Sequence, residues 1–412
     1  MSEMIQVPDG WEVKPFSSLA TINMGQSPDS EFVNENQEGI AFLQGNAEFG
    51  DVNPQELYWV TVPKKTAKKD DILISVRAPV GDMNIADKDY CIGRGLSALT
   101  VKKINQQYSF YALLQERGQL DRLAQGSTFL AIGKNDFDKL LIKHPKEKKE
   151  QQKIAKILST LDNAIESTNR LIEKEKNIKT ALIQELLTNG IDKKGQIRSP
   201  QTHTYKQSEL GLIPDEWEIK NIEDIADVFG GGTPDRSNND FWKNGTVFWA
   251  TPTDITGISN SNYLKDTKEK ITEKGLSGSS AKLLPVGSIL LTSRATIGER
   301  KISKIPVCTN QGFTSLVPKS NNGIFLYYIL DKYISYMYSR AYGTTFPEIS
   351  RTEVKKISIA LPKCETEQKQ ITKILTTQDK KIQTEETNLA KLKELKKGLM
   401  NDLLNGKVRV KI

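Results

Sequence analysis

A chain that carries most of its sequence twice is confined to architectures that can be built twice over. Here the stretch Val7-Pro8-Asp9-Gly10-Trp11-Glu12-Val13-Lys14 returns as Ile213-Pro214-Asp215-Glu216-Trp217-Glu218-Ile219-Lys220, about 206 residues on. Solenoid repeats run to roughly 20–50 residues and cannot fold singly, whereas a unit of this length can be a domain. The correspondence continues through each half. Gly25, Pro28 and Asp29 match Gly231, Pro234 and Asp235 at the same offset. After a short insertion in the second copy the offset becomes about 217, and Arg77, Gly81, Cys91 and Gly95 match Arg294, Gly298, Cys308 and Gly312. Gly126-Ser127-Thr128-Phe129 then matches Gly343-Thr344-Thr345-Phe346, and Pro145, Gln151, Ile154, Leu158 and Asp162 fall on Pro362, Gln368, Ile371, Leu375 and Asp379.

With 412 residues the chain is too long for one hydrophobic core. No apolar run approaches the roughly 18 residues that span a bilayer, and Met1-Ser2-Glu3-Met4 opens no signal-peptide pattern, so a cytoplasmic protein is expected. Cys91, Cys308 and Cys364 form no close pair for a metal and no secreted framework; the first two read as small buried side chains in strands. The only histidines, His144 and His203, do not match across the repeat, which argues against histidine catalysis or zinc and places both at a boundary or linker. A net charge of +7 decides little by itself. Lys64, Lys65, Lys68 and Lys69, and further on Lys193, Lys194 and Arg198, form clusters that suit either a solvated face or a polyanion.

Each half opens with a mixed region. Runs such as Asp71-Ile72-Leu73-Ile74-Ser75-Val76 and Ser288-Ile289-Leu290-Leu291-Thr292 read as strands, and Phe110-Tyr111-Ala112-Leu113-Leu114 and Phe325-Leu326-Tyr327-Tyr328-Ile329-Leu330 as helix. Each half closes with a polar segment free of Pro. Alternate steps of 4 and 3 from Ile154 reach Leu158, Leu161, Ile165, Thr168, Ile172, Glu175, Lys179, Leu182 and Leu186. From Ile371 they reach Leu375, Gln378, Ile382, Glu385, Leu389, Leu392, Lys396, Leu399 and Leu403. Seven of ten positions are apolar in each series, the signal of helices that pair along a seam. At 1.5 Å per residue each helix is roughly 60 Å long and needs a partner of similar length, which the other copy supplies; self-association is the competing arrangement. The predicted fold is therefore α+β, or mixed α/β. Two similar globules are joined by two long antiparallel coiled-coil helices in a pseudo-twofold chain. The predicted boundaries are 1–145 and 213–361 for the globules, 146–190 and 362–406 for the helices, 191–212 for a connector and 407–412 for a tail, with Gly190 and Gly406 as helix stops.

No catalytic constellation emerges. Gly126 and Gly133-Lys134-Asn135 do not make a phosphate-binding loop, and Phe229-Gly230-Gly231-Gly232-Thr233-Pro234 reads as a turn or a DNA-approach loop before it reads as a cofactor site. Asp51-Val52-Asn53-Pro54-Gln55 is not the motif that holds a flipped base, and Glu147-Lys148-Lys149 belongs to a solvated helix face rather than to a nuclease. What remains is a set of paired polar loops. Gln26 and Ser27 lie opposite Gly232 and Thr233, and Gln44-Gly45-Asn46 opposite Ala250-Thr251-Pro252-Thr253-Asp254. Arg77 matches Arg294, Arg94 matches Gln311 beside Asn310, and Ser127 and Thr128 match Thr344 and Thr345; Lys134 and Arg351 follow. Arg, Gln and Asn can grip base edges by two bonds, and Ser, Thr and loop amides reach phosphates. Turn chemistry and buried arginine pairs are a second explanation for many of them.

These residues resemble the specificity subunit of type I restriction-modification enzymes, across essentially the whole chain. The marks are the twin Pro-x-x-Trp-Glu openings, Tyr205-Lys206-Gln207-Ser208-Glu209-Leu210-Gly211 leading into Ile213-Pro214, the Arg77-x-x-x-Gly81 and Arg294-x-x-x-Gly298 pairs, and the Pro145 and Pro362 exits into helices carrying Gln151 and Gln368. The first copy lacks the Tyr-Lys-x-Ser-Glu-x-Gly lead, which fits an N-terminus close to the domain. The resemblance implies a DNA-binding subunit that is not itself catalytic, with each globule a target-recognition domain for one half of a bipartite double-stranded site. It implies two methyltransferase subunits as partners, and possibly two motor-nuclease subunits, with S-adenosylmethionine, ATP and Mg carried by those partners and no cofactor on this chain. The seam residues Ile154, Leu158, Leu161 and Ile165, with Ile371, Leu375, Ile382 and Leu389, would then set the spacer. A coiled-coil scaffold that does not read DNA is the runner-up, and a stand-alone nuclease comes third.

Overall fold

The computed structural model describes residues 7–50, 52–124, 131–258, 261–320, 322–343 and 347–411. The chain divides into two compact units: residues 1–167 with 389–412, and residues 168–388. The division falls inside the two long helices, Lys148–Leu186 and Glu365–Leu404, so each unit owns half of each.

In the first unit an antiparallel sheet runs in the order Ala20–Met24, Leu96–Val101, Ile72–Ser75, Met83–Ile85. The strand Ile72–Ser75 is apolar on both faces because both faces are covered. Ile72 and Ile74 point into the core shared with the helices, while Leu73 joins a separate cluster with Leu43, Tyr90 and Ile92 of the second sheet. In that second sheet Ile40–Leu43 and Tyr90–Ile92 lie parallel, Phe42 opposite Cys91. The second unit repeats the plan. Ile289 and Leu291 face the helices, Leu290 faces the other cluster, and Val247–Ala250 pairs in parallel with Cys308–Thr309, Trp249 opposite Cys308. Cys91 and Cys308 are buried free thiols, and burial pushes the Cys308 thiol up to about 12.

Two ribbons bring the start and finish of each globule together. Trp11–Pro15 pairs antiparallel with Leu141–Pro145, Trp11 opposite Pro145, and Trp217–Asn221 pairs with Ser358–Pro362, Trp217 opposite Pro362. Each long helix therefore leaves its globule beside a buried tryptophan. Gln151 Nε2 donates to the Pro145 carbonyl at 2.7 Å, and Gln368 Nε2 to that of Pro362 at 2.8 Å, which fixes the exit angle from the first helical turn. His144 is a buried strand residue in this ribbon, paired with Glu12 across it, rather than a linker residue.

Within each unit the two helices run antiparallel. Glu175 meets Gln378 and Lys176 meets Glu386 at 3.2 Å in the second unit, and Asp162 meets Lys396 in the first. All twenty positions of the two heptad series are buried or half-buried. The polar interruptions of the stripe are not defects, since Gln378 Nε2 donates to the Glu175 carboxylate at 2.5 Å and to its carbonyl at 2.9 Å. Leu399, Leu403 and Leu404 from the far end of the second helix pack with Ile154 and Leu158 in the first core. In the second core Leu182, Leu186 and Leu187 pack with Ile371 and Leu375. Among the described residues no helix is long and apolar enough to cross a membrane.

The connector differs from its sequence reading. Tyr205–Ser208 inside it and Gly211–Pro214 across its predicted end form a hairpin, and Arg198, grouped by sequence with a basic cluster, is only 5 % exposed. Its guanidinium donates to Glu367 at 2.5 and 3.0 Å and to Glu216 at 2.5 Å, and Trp217 Nε1 donates to the same Glu367 oxygen at 3.2 Å. Desolvation opposes the charge on Arg198, but the two carboxylates outweigh it and hold its pKa above the ordinary value. Arg409 holds the equivalent place in the first unit, donating to both oxygens of the buried Glu150 at 2.6 and 2.8 Å and to the Asp9 carbonyl at 2.6 Å. Arg198→Met leaves Glu367 buried without its cation, so the second unit should lose about 3–5 kcal/mol in urea unfolding. A loss below about 1 kcal/mol would show that the pair contributes nothing net.

Candidate nucleic-acid interface

The sheet frame delivers the loops to one place in each unit by backbone bonds that repeat at the duplication offset. In the first unit Gln26 N donates to Ile92 O at 3.0 Å, Gly93 N to Leu43 O at 2.8 Å, Val76 N to Gly95 O at 2.9 Å and Ile132 N to Val76 O at 2.9 Å. Their counterparts are Gly232 N to Thr309 O at 2.8 Å, Asn310 N to Ala250 O at 3.0 Å, Ser293 N to Gly312 O at 2.8 Å and Ile349 N to Ser293 O at 2.9 Å. The bridges Arg77 to Ala131 and Arg294 to Glu348 complete the match. Glycine is required where the first loop crosses the frame. A Cβ on Gly25 would lie 2.1 Å from the Gly93 carbonyl oxygen, and one on Gly231 would lie 1.9 Å from that of Asn310.

Gln26, Ser27, Gln44, Asn46, Arg77 and Arg94 thus fall in one cluster of loops, and the segment leading to Lys134 joins it beside Arg77. In the second unit Gly232, Thr233, Thr253, Arg294, Asn310, Gln311 and Arg351 do the same. Ser127, Thr128, Thr344 and Thr345 lie outside the described residues. Gln26, Gln44, Arg77, Arg94 and Lys134 are exposed, and their side chains have no partner among the described residues. Ser27 Oγ accepts from Arg94 N at 3.3 Å, and Asn46 Nδ2 donates to Asp82 at 2.8 Å.

The second cluster is more self-paired. Thr233 Oγ1 donates to Gln311 Oε1, Thr253 and Thr251 share a hydroxyl bond at 2.9 Å, and Asn310 Oδ1 accepts from Gly312 N at 2.9 Å. Arg294 lies 3.7 Å from the Glu348 carboxylate. Gly232 is buried, and its carbonyl accepts from Trp249 Nε1 at 2.9 Å, so it is a loop support and not a surface group. Ala295 has a φ of 63°, a left-handed conformation costly without a glycine, beside the Arg294 bridge and held by its own bond to Pro347 O at 3.0 Å.

The copies also differ in length here. Strand pairing makes Leu43 the counterpart of Ala250, but the following turns match one residue later. Glu48 accepts from Gly45 N at 3.1 Å, and Asp254 from Thr251 N at 2.8 Å. Gln44 is therefore an extra residue of the first copy, which the unequal pairing of 44–46 with 250–254 left undecided. The lysine-rich run beside this cluster offers less free charge than its sequence suggested, because Lys64 pairs with Asp29 at 2.6 Å and Lys68 with Asp89 at 2.7 Å.

Two features escaped sequence reasoning. Arg236 lies 3.8 Å from the Trp242 ring centre and 4.9 Å from that of Trp249, and forks to Glu269 at 2.5 and 2.8 Å, which stiffens the loop that carries Thr233. Tyr342, 60 % exposed, exchanges backbone bonds of 3.0 and 2.9 Å with Glu348 and so stands beside Arg294. The signal available for Tyr342 was its place just before the matched Gly343.

The family model described as the type I restriction modification DNA specificity domain matches this chain twice, over residues 8–176 and 214–394. A putative type I restriction enzyme MjaX specificity subunit from Methanocaldococcus jannaschii is 39 % identical over 194 residues, which is 46 % of this chain and 45 % of that protein. The chain thus spans under half the length of that relative. The MjaVIII specificity subunit of the same organism is 26 % identical over 99 % of this chain and 95 % of its own length. The crystal structure of a type I restriction-modification S subunit from M. genitalium shares the fold, with a TM-score of 0.63 at 18 % identity, covering 98 % of this chain and 99 % of that one.

For loops that read base edges, Arg294→Ala and Gln311→Ala should each cost about 1–3 kcal/mol on a restricted set of sequences. Binding measured across a randomised DNA pool checks this, and equal weakening on every sequence would assign the two residues to phosphates.

Proposed function

The chain belongs to the type I restriction-modification DNA specificity family, and from that premise we propose that it supplies the target specificity of such a complex. Each unit reads one half of a bipartite double-stranded DNA site, and the paired helices set the spacer and seat two methyltransferase subunits. The observation that carries this reading is one backbone frame, repeated bond for bond, that presents different side chains in its two copies. Arg94 stands where the other copy has Gln311, and Gln44 has no counterpart at all. Two words on one DNA molecule need such a pair of readers. A scaffold that never met DNA has no use for Arg77, Arg94 and Gln26 exposed on one cluster of loops.

In this reading the adenine methylation and the ATP-dependent cleavage belong to partner subunits. S-adenosylmethionine, ATP and Mg bind there, and motor-nuclease subunits join the assembly where the cell has them. The chain contributes orientation and word choice, through Arg, Gln and Asn at base edges and loop amides at phosphates.

Mapping methylated adenines genome-wide with and without this chain tests the function and identifies the target together. A bipartite motif should vanish when the chain is removed, and an unchanged methylation map would refute the proposal. Exchanging residues 213–361 for the equivalent region of a relative should change one half-site word and leave the other intact. A change in both words, or in neither, would show that the units do not read independently.

A further inference from the structure

Two polar triads, each a buried tyrosine with a half-buried aspartate and lysine, occur at equivalent places in the duplicated chain, and neither belongs to the loop clusters. In the first unit Tyr111 Oη donates to Asp162 Oδ2 at 2.6 Å, and Lys396 Nζ forms an ion pair with Asp162 Oδ1. In the second unit Tyr328 Oη donates to Asp379 Oδ2, and Lys179 Nζ lies 2.6 Å from Asp379 Oδ1. The atom assignment is the same in both. Tyr111 and Tyr328 are 3 % and 1 % exposed, and the aspartate and lysine side chains 19–28 %. Tyrosine, aspartate and lysine all recur at the offset of 217, but the lysines are exchanged: each aspartate is served by the lysine of the other copy.

An apolar seam that repeats every seven residues packs almost equally well after a slip of seven, so Ile and Leu alone cannot select one alignment. A half-buried charge at the seam can, because it has its partner in one alignment only. Here a slip of one heptad would set Asp162 against Leu389 or Leu403 and Asp379 against Ile172 or Leu186. Both lysines would lose their carboxylates in the same movement. The tyrosines add the globules to the lock, because each sits on a helix of its own globule, Gln106–Gln115 or Gly323–Ile329.

We propose that the two exchanged Tyr–Asp–Lys triads are positioning elements that hold the long helices in one register and thereby restrict the DNA spacer to one length. This rests on the reading of the helices as the spacer between two readers. Lys179 and Lys396, which interrupt the apolar stripe in sequence, add charge pairs that one alignment alone supplies, beside the Glu175–Gln378 bonds. A slip of seven residues displaces the helices by about 10 Å, roughly three base pairs of DNA. That is the error the triads exclude.

The test uses the full chain assembled with its methyltransferase partner and replaces both triads by apolar groups: Tyr111→Phe, Tyr328→Phe, Asp162→Leu, Asp379→Leu, Lys179→Leu and Lys396→Leu. On targets that keep both half-site words, the rate ratio between the native spacer and spacers changed by about three base pairs should fall at least about tenfold. A second variant exchanges the charges, Asp162→Lys with Lys396→Asp and Asp379→Lys with Lys179→Asp, and should restore strict spacing. Register is also read without DNA, in chains carrying Cys364→Ser. The pair Glu175→Cys and Gln378→Cys should form a disulfide under copper-catalysed air oxidation, while Glu175→Cys with Glu385→Cys or Ile371→Cys should do so only after the triads are removed. An unchanged disulfide pattern together with an unchanged spacer preference in the triad-free chain overturns the proposal. If the triad-free chain does not fold, failure of the charge-exchanged chain to hold the native register overturns it instead. Should the wild-type complex not require two words, the two-reader reading fails while the disulfide pattern still decides the register question.

Discussion

Neither globule can close its core with residues of its own repeat. The first needs Leu399, Leu403 and Leu404 from the end of the second long helix, and the second needs Leu182, Leu186 and Leu187 from the end of the first. The reason is the length of the apolar stripe. A helix of about forty residues cannot bury a continuous stripe on one small globule, and an unpaired amphipathic helix of that kind has little stability in water. Antiparallel pairing covers the stripe and carries each helix end into the other copy's core. Compact units therefore divide in the middle of each long helix, not at the repeat boundaries.

The cations that follow the helices belong to the same constraint. Arg198 comes after the first helix stop and binds Glu367 at the start of the second helix; Arg409 comes after the second and binds Glu150 at the start of the first. In both units a buried glutamate in the first turn of one long helix is neutralised by an arginine just beyond the end of the other. The frame is fixed by backbone bonds and buried pairs, and the loops it carries are free to differ. That separation lets Gln44 be inserted and Arg94 be exchanged for Gln311 without disturbing the strands beneath.

Much of this is visible in residue order. The apolar stepping from Ile154 and Ile371 marks two long helices and their seam, because a helical period of about 3.5 leaves a trace that no loop imitates. The strand cores at Ile72–Ser75 and Ile289–Leu291 are visible as short apolar runs. The matched glycines locate loops crossing a backbone, and Arg77 and Arg294 point to the same loop in each copy. Less visible is whether a given charge is free. Lys64, Lys68 and Arg198 resemble one another in a sequence window, but Asp29, Asp89 and Glu367 come from distant segments, and burial of Arg198 follows from its partners. Tyr342 and the Arg236–Trp242–Trp249 stack were missed because each depends on a partner across the sheet or hairpin rather than on spacing along the chain.

The linear chain is sufficient for the duplication, the mixed globules, the two heptad helices and the loops that carry recognition chemistry, since each of these rests on local period or on direct repetition. It is silent on which polar seam residue meets which. Lys179 and Lys396 are two exceptions in an apolar series until folding sets them against Asp379 and Asp162, 200 and 234 residues away. Pairings of that kind depend on the antiparallel register, and register is a property of two helices together that neither helix's own sequence period can express.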